Sequence, residues 1–306
     1  MSGKKTGNGR NIQTPKQKMK SYLGHPGSFA VFILTILAAV ITMASLGSLI
    51  VYILVKGVPH LTPELFAWEY NSDNVSMLPA LINTILLTLL AIMVAGPLGI
   101  FAAIYMVEYA KKGNKIVGLV RITAETLSGI PSIVYGLFGM LFFCTTLKLG
   151  YSLMAGALTV AIMVLPTIMR TTEEALLAVP DSFREGSFGL GAGKLRTVFR
   201  VVLPSAIPGI LSGIILSIGR IVGETAALIF TAGTVAAVPK LSSGHPVRTF
   251  LSSSVRTLSV HMYNLSKEGL HTNQAFATAV VLLGLVILIN LLSNLVANKL
   301  KAPGMK

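Results

Sequence analysis

Six stretches of this chain run for about twenty residues or more with almost no charge, and a run of that length is the signature of a membrane-spanning helix rather than a buried core helix. Residues 28–55, 78–106, 149–169 and 275–298 contain no Asp, Glu, Lys or Arg; 122–147 contains only Glu125, and 205–236 only Arg220 and Glu224. A backbone in hydrocarbon must satisfy its own N–H and C=O groups, which a helix does within one segment. Charged residues make up 12% of the chain, about half the share of a soluble domain, and mean hydropathy is +0.75. The reading is an all-α, polytopic membrane protein with six transmembrane helices.

The net charge of +14 would suit nucleic acid only if the basic residues formed a recognition surface. They do not: they gather in short segments between the apolar runs, without aromatic partners, so the implied partner is the lipid bilayer and not nucleic acid. Their distribution also sets orientation, because Lys and Arg favour cytoplasmic loops. With the N-terminus inside, residues 1–27 hold six, 107–121 four, 170–204 five and 299–306 three, against Lys56, Lys148, Lys240, Arg248, Arg256 and Lys267 outside. Both termini are therefore expected in the cytoplasm. Cys144 is the only cysteine, so neither a disulfide nor a cysteine metal site forms within the chain. Five histidines (His25, His60, His245, His261 and His271) show no metal-ligand spacing and are expected to be solvated or interfacial.

The organisation that follows is a basic cytoplasmic tail (1–27), a first transmembrane helix with an external segment (28–77), a five-helix core (78–298) interrupted by a cytoplasmic loop (170–204), and a short cytoplasmic tail (299–306). The first apolar run exceeds the 7–15 residues of a signal-peptide core, so it reads as a retained anchor. In the external segment 57–77, Trp68 and Tyr70 suit an interfacial belt. In 247–263, Leu251, Val255, Leu258 and Met262 fall at helical spacing beside Arg248 and Arg256, which predicts an amphipathic helix on the membrane surface.

The string GLGAGK at 189–194 fails as a phosphate-binding loop, since Phe188 stands where the first glycine is needed and Leu195 where Ser or Thr would bind magnesium. The loop around it is more informative. Ser182-x-x-Glu185 after Pro180 forms a capping box, Gly189, Gly191 and Gly193 break the helix it starts, and KLRTVFRVVLP opens a second helical segment. Phe183 and Leu190 fall on an apolar edge that either packs on the loop itself or enters a groove on a partner.

The loop resembles the EAA loop of ABC-importer permeases: Glu185-Gly186-Ser187, three residues, Gly191, nine residues, then Val201-Val202-Leu203-Pro204 keeps that motif's full spacing, with small departures at Gly186, Ser187 and Val201. In that family the loop is a coupling helix seated in a cleft of the cytosolic ATPase, which makes Ser182, Phe183, Glu185, Gly186, Ser187, Leu190, Gly191, Leu203 and Pro204 the candidate coupling residues. GPLGIFAAIYMVEYAKKG (96–113), GIPSIVYGLFG (129–139), MRTTEEALLAVPDSFREG (169–186) and GRIVGETAALIFTAG (219–233) further resemble phosphate-specific permeases of the PstA type, with Ala227 departing from an expected proline. The resemblance implies a type I ABC-importer permease fold in a bacterial inner membrane. It also implies a second homologous permease chain, a cytosolic ATPase dimer and an external phosphate-binding protein as partners. No cofactor would be bound by this chain, ATP and magnesium belonging to the ATPase, and the chain would not itself be an enzyme. Other oxyanions, sulfate or molybdate, remain alternatives, as does a self-sufficient channel or secondary transporter.

Arg220 and Glu224 stand one helical turn apart inside an apolar run, where a charge costs roughly 2.5–3.5 kcal/mol on insertion scales. On a continuous helix they would share a face and neutralise each other. Gly209, Gly213, Gly219 and Gly223 form two GxxxG pairs that permit close helix contacts. The pair either fixes packing or lines an anion path, with Arg220 attracting a tetrahedral oxyanion, Glu224 orienting it and Thr225 beside them. Arg170, Glu173 and Glu174, at the inner end of the fourth run, are weaker candidates.

Overall fold

The computed structural model describes residues 26–111, 113–240 and 245–300. The expected cytoplasmic tails lie mostly outside these, at 1–25 and 301–306. Every regular element among the described residues is helical. They are α1 (Pro26–Gly57), α2 (Leu78–Ile104), α3 (Lys115–Ser128), α4 (Ser132–Gly139), α5 (Leu153–Leu177), α6 (Asp181–Gly189), α7 (Lys194–Thr197), α8 (Leu203–Gly223), α9 (Ala226–Ile229), α10 (Pro246–Leu251), α11 (Leu258–Glu268) and α12 (Thr272–Leu300). Among the described residues five helical segments are long and apolar enough to cross a membrane, and the bent pair α3–α4 makes up to six.

The chain forms two units divided after Val55. The first contains, in its described part, α1 up to Val55; from Gly27 to Lys56 the residues of α1 are exposed or partly exposed. Its 32 residues span roughly 48 Å, more than the hydrocarbon thickness of a bilayer.

In the second unit α5 is the central helix: 67% of its apolar window is buried, against 33% for α2 and 28% for α7–α8. Small residues account for this. Ala155, Ala157, Ala161 and Gly156 let α2 and the turn after α9 approach closely, and Leu87, Leu153, Val160, Met163, Val164 and Ile168 fill the remaining space. Nearer the expected cytoplasmic side, Ala103, Ile104, Met106, Leu176, Val198, Val202 and Ala206 form a second cluster that joins the ends of α2, α5 and α8. Gly209 and Gly213 abut Ala175 and Thr171 on α5, so the first glycine pair serves helix packing. A Cβ at Gly219 or Gly223 would meet nothing within 4 Å, so among the described residues the second pair packs no helix.

Four sequence expectations are corrected. The third apolar run is not one straight span: α3 and α4 meet at 103°, at Gly129-Ile130-Pro131, because proline disfavours helical geometry at the residue before it. The fifth run does not continue to 236, since α8 ends at Gly223. The expected surface helix over 247–263 is two short helices. Between them Val255 and Arg256 donate backbone N–H bonds to Ala232 and Val235 at 2.9 Å, and Val255 and Leu258 are fully buried. Finally, His261 is not solvated but fully buried, edge-on to Tyr70, and burial together with the nearby Arg256 charge pushes its pKa down to about 4. Tyr70 also carries Arg256 over its ring, 5.2 Å from the centroid, while Trp68 is exposed.

Candidate translocation path and coupling site

Arg220 occupies the last turn of α8 and is half-buried. Glu224, the next residue past the helix end, has extended backbone (φ −71°, ψ 128°), so the two do not share a helix face. The ion pairs among the described residues join Arg121 to Glu173, Arg170 to Glu174, and Arg184 to Glu108 and Asp181; neither Arg220 nor Glu224 takes part. The expected internal neutralisation is therefore absent. Glu224 has a different task. Its buried carboxylate accepts the Ala227 N–H at 3.0 Å, holding the first turn of α9, while its carbonyl accepts the Ser259 hydroxyl at 2.5 Å. These two bonds fix the break in the span.

The break leaves Arg220 as a cation with no carboxylate partner among the described residues. At the α3–α4 bend, the Tyr135 hydroxyl donates to the Leu127 carbonyl at 2.8 Å. The open positions at Gly219 and Gly223 flank Arg220, and Thr225, half-buried, follows on the far side of the break. A guanidinium stays protonated and presents a planar fork of donors matched to oxyanions. The arrangement is thus a permanent positive charge beside open space at a discontinuity in a spanning helix.

The weaker candidates separate. Glu173 is buried and paired with Arg121 of α3, a residue that sequence reasoning had placed in a loop. Arg170 and Glu174 form an i, i+4 pair at 3.1 Å whose side chains are about two-thirds exposed (66% and 63%), geometry worth little in stability. Arg121, Glu125, Thr167, Arg170, Thr171 and Glu174 line a cavity of about 420 Å³. Two carboxylates face two arginines on that wall, so its fixed charges balance and give an anion no net attraction.

The coupling residues lie on α6 and the turn after it. The capping box is not made: α6 begins at Asp181 with Pro180 before it, so Ser182 already lies inside the first turn and makes no capping bond. The glycine breaks do form. Gly191 has φ +80°, the left-handed region where a side chain is disfavoured, and Gly193 precedes α7. Phe183 is 44% and Leu190 91% exposed, so the apolar edge does not pack on its own loop. Glu185 and Gly186 are exposed, whereas the Ser187 hydroxyl sits 2.8 Å from that of Thr197. Leu203 packs on the second cluster, and Pro204 follows the π-helical turn Val198–Val202 that leads into α8.

Three residues escaped the sequence reading: Arg121, Glu108 and Arg184. Each owes its position to a partner far along the chain, and no local spacing signals it.

Residues 95–302 match the family described as "Binding-protein-dependent transport system inner membrane component". The probable ABC transporter permease protein YqgI of Bacillus subtilis is 35% identical over 244 residues, covering 76% of this chain and 81% of that protein. The phosphate transport system permease protein PstA of Yersinia pestis is 32% identical over 251 residues, covering 80% and 81%. Among solved structures, a bacterial alginate ABC transporter crystallised with an alginate-bound periplasmic protein superposes with a TM-score of 0.65 at 13% identity, covering 93% of this chain and 99% of that one. The MetNI methionine ABC transporter, in an inward-facing conformation, gives 0.57 at 20% identity, covering 73% and 94%. With its helix order, broken fifth span and projecting α6, the chain belongs to the inner-membrane components of binding-protein-dependent transport systems and has the type I ABC-importer permease fold.

Proposed function

We propose that this permease forms half of the path by which an ATP-driven importer moves inorganic phosphate, and that Arg220 is the group that draws the anion into the membrane. The observation that carries the reading is the uncompensated Arg220 charge beside the open Gly219 and Gly223 positions. An arginine kept only for packing would be neutralised by a carboxylate, and the one a turn away is turned to another use. Relatives named as phosphate permeases favour phosphate over sulfate or molybdate. A second permease chain would close the open side of α8, two cytosolic ATPase subunits would supply ATP and magnesium chemistry, and an external binding protein would deliver the ion. Both termini would lie in the cytoplasm.

The test is uptake by the assembled complex in vesicles, with labelled phosphate and labelled sulfate compared at equal concentration. ATP-dependent phosphate uptake is expected, with sulfate at background. Equal uptake of both would reassign the substrate class, and phosphate flux by this chain alone, indifferent to ATP, would overturn the importer reading.

The exposed edge of α6 gives a separate expectation. Leu190→Asp puts a carboxylate where an apolar side chain would enter a cleft, and burying an unpaired charge is prohibitive. The ATPase subunits should no longer co-purify, while the chain inserts into the membrane at its normal level. Undiminished co-purification would remove Leu190 from the docking surface.

A further inference from the structure

Arg184 lies in the middle of α6, yet it points away from the exposed edge and is 15% exposed; the carboxylate it meets, on Glu108, is 8% exposed. All three guanidinium nitrogens are engaged. Nε and Nη2 donate to Glu108 Oε1 at 3.2 and 2.7 Å, Nη2 also to the Leu176 carbonyl at 2.9 Å, and Nη1 to the Val179 carbonyl at 2.8 Å and Asp181 Oδ1 at 3.2 Å. Glu108 belongs to the π-helical turn Tyr105–Tyr109 that closes α2, and Leu176 and Val179 lie at the end of α5, where the helix dipole favours a cation.

One side chain thus ties α6 to two core spans. The other end of α6 is bound to the third, because Thr197, which meets Ser187, leads through the π-helical turn Val198–Val202 into α8. A buried ion pair is a poor way to gain stability, since apolar packing usually does as well, but it fixes one geometry and is costly to break on one side. Force applied to the exposed face of α6 must pass through these bonds to reach the core.

We propose that Arg184 is a positioning residue for coupling: it makes α6 move as one body with α2 and α5, so that displacement of the docking face reaches the helices packed against α8 and Arg220. The proposal rests on α6 being the surface that meets the ATPase.

The test uses the complete complex with its ATPase and binding protein, reconstituted in vesicles, and reads phosphate imported per ATP hydrolysed. With Arg184→Gln the ATPase subunits should still co-purify and hydrolysis persist, while imported phosphate per ATP falls at least about tenfold. Glu108→Gln, which leaves the carbonyl contacts in place, should give a smaller fall. Arg184→Lys, keeping the charge but unable to serve Glu108 and both carbonyls at once, should recover part of the ratio. An unchanged ratio in Arg184→Gln overturns the proposal, and so does failure of both neutral variants to assemble, which would make the pair a folding element only. Failure of the unaltered complex to retain its ATPase would instead overturn the docking reading and the proposal with it.

Discussion

Arg220→Gln should lower phosphate uptake at least about 100-fold at matched membrane abundance, with the ATPase subunits still bound. A hydrogen bond to a charged group contributes about 1.5–3 kcal/mol, so losing the charge from a two-pronged oxyanion contact is worth roughly two powers of ten or more. Glutamine preserves length and some donor capacity, which isolates the charge. The structure also separates this residue from Glu224. Were they an ion pair, removing both charges would repair what removing one breaks. Because Glu224 instead holds the Ala227 N–H and does not touch Arg220, Glu224→Gln should act independently, and the double variant should be no better than the worse single one. Restored uptake in the double variant would return Arg220 to a packing role.

Gly136→Val is expected to be strongly damaging although it involves no charge. An added Cβ at Gly136 would lie 2.8 Å from Ala227 Cα and 3.2 Å from the Ala226 carbonyl and Phe230 Cδ2. Most of that obstacle is backbone, and α9 cannot retreat while Glu224 and Ser259 hold the break. Overpacking of this kind costs about 1–3 kcal/mol for a methyl, so alanine should lower the unfolding temperature of the chain visibly and valine should abolish uptake or accumulation. Gly118→Ala, on a face with nothing within 4 Å, is the matched control and should be neutral or slightly stabilising. Normal heat stability in Gly136→Val would mean that α4 and α9 do not pack as described.

The features legible in the sequence were those written locally. Uncharged runs located the spans, and the Glu185-to-Pro204 spacing located the projecting loop with its glycine punctuation. What escaped was set by distant partners. The spacing of Arg220 and Glu224 predicts a shared face only if the helix continues, and it stops because Ser259, 35 residues away, binds the Glu224 carbonyl. Arg184 and Glu108, 76 residues apart, carry no mutual signal. Arg121 looked like one more basic loop residue until α3 placed it opposite Glu173. The bend at Pro131 was the exception: its proline was in plain view, but the apolar run on either side suggested a single span.

The lone charge on Arg220 has an electrical consequence. An inside-negative membrane opposes anion entry by about 2.3 kcal/mol per elementary charge for every 100 mV, and a doubly charged phosphate meets twice that. A fixed guanidinium deepens one point along the route without tilting the route as a whole, so it lowers the barrier equally for ions travelling either way. On the role proposed for Arg220, a path left open would drain phosphate outward. The charge that would draw the ion in would therefore oblige the path to be occluded on at least one side throughout the cycle, with the net work supplied from outside this chain.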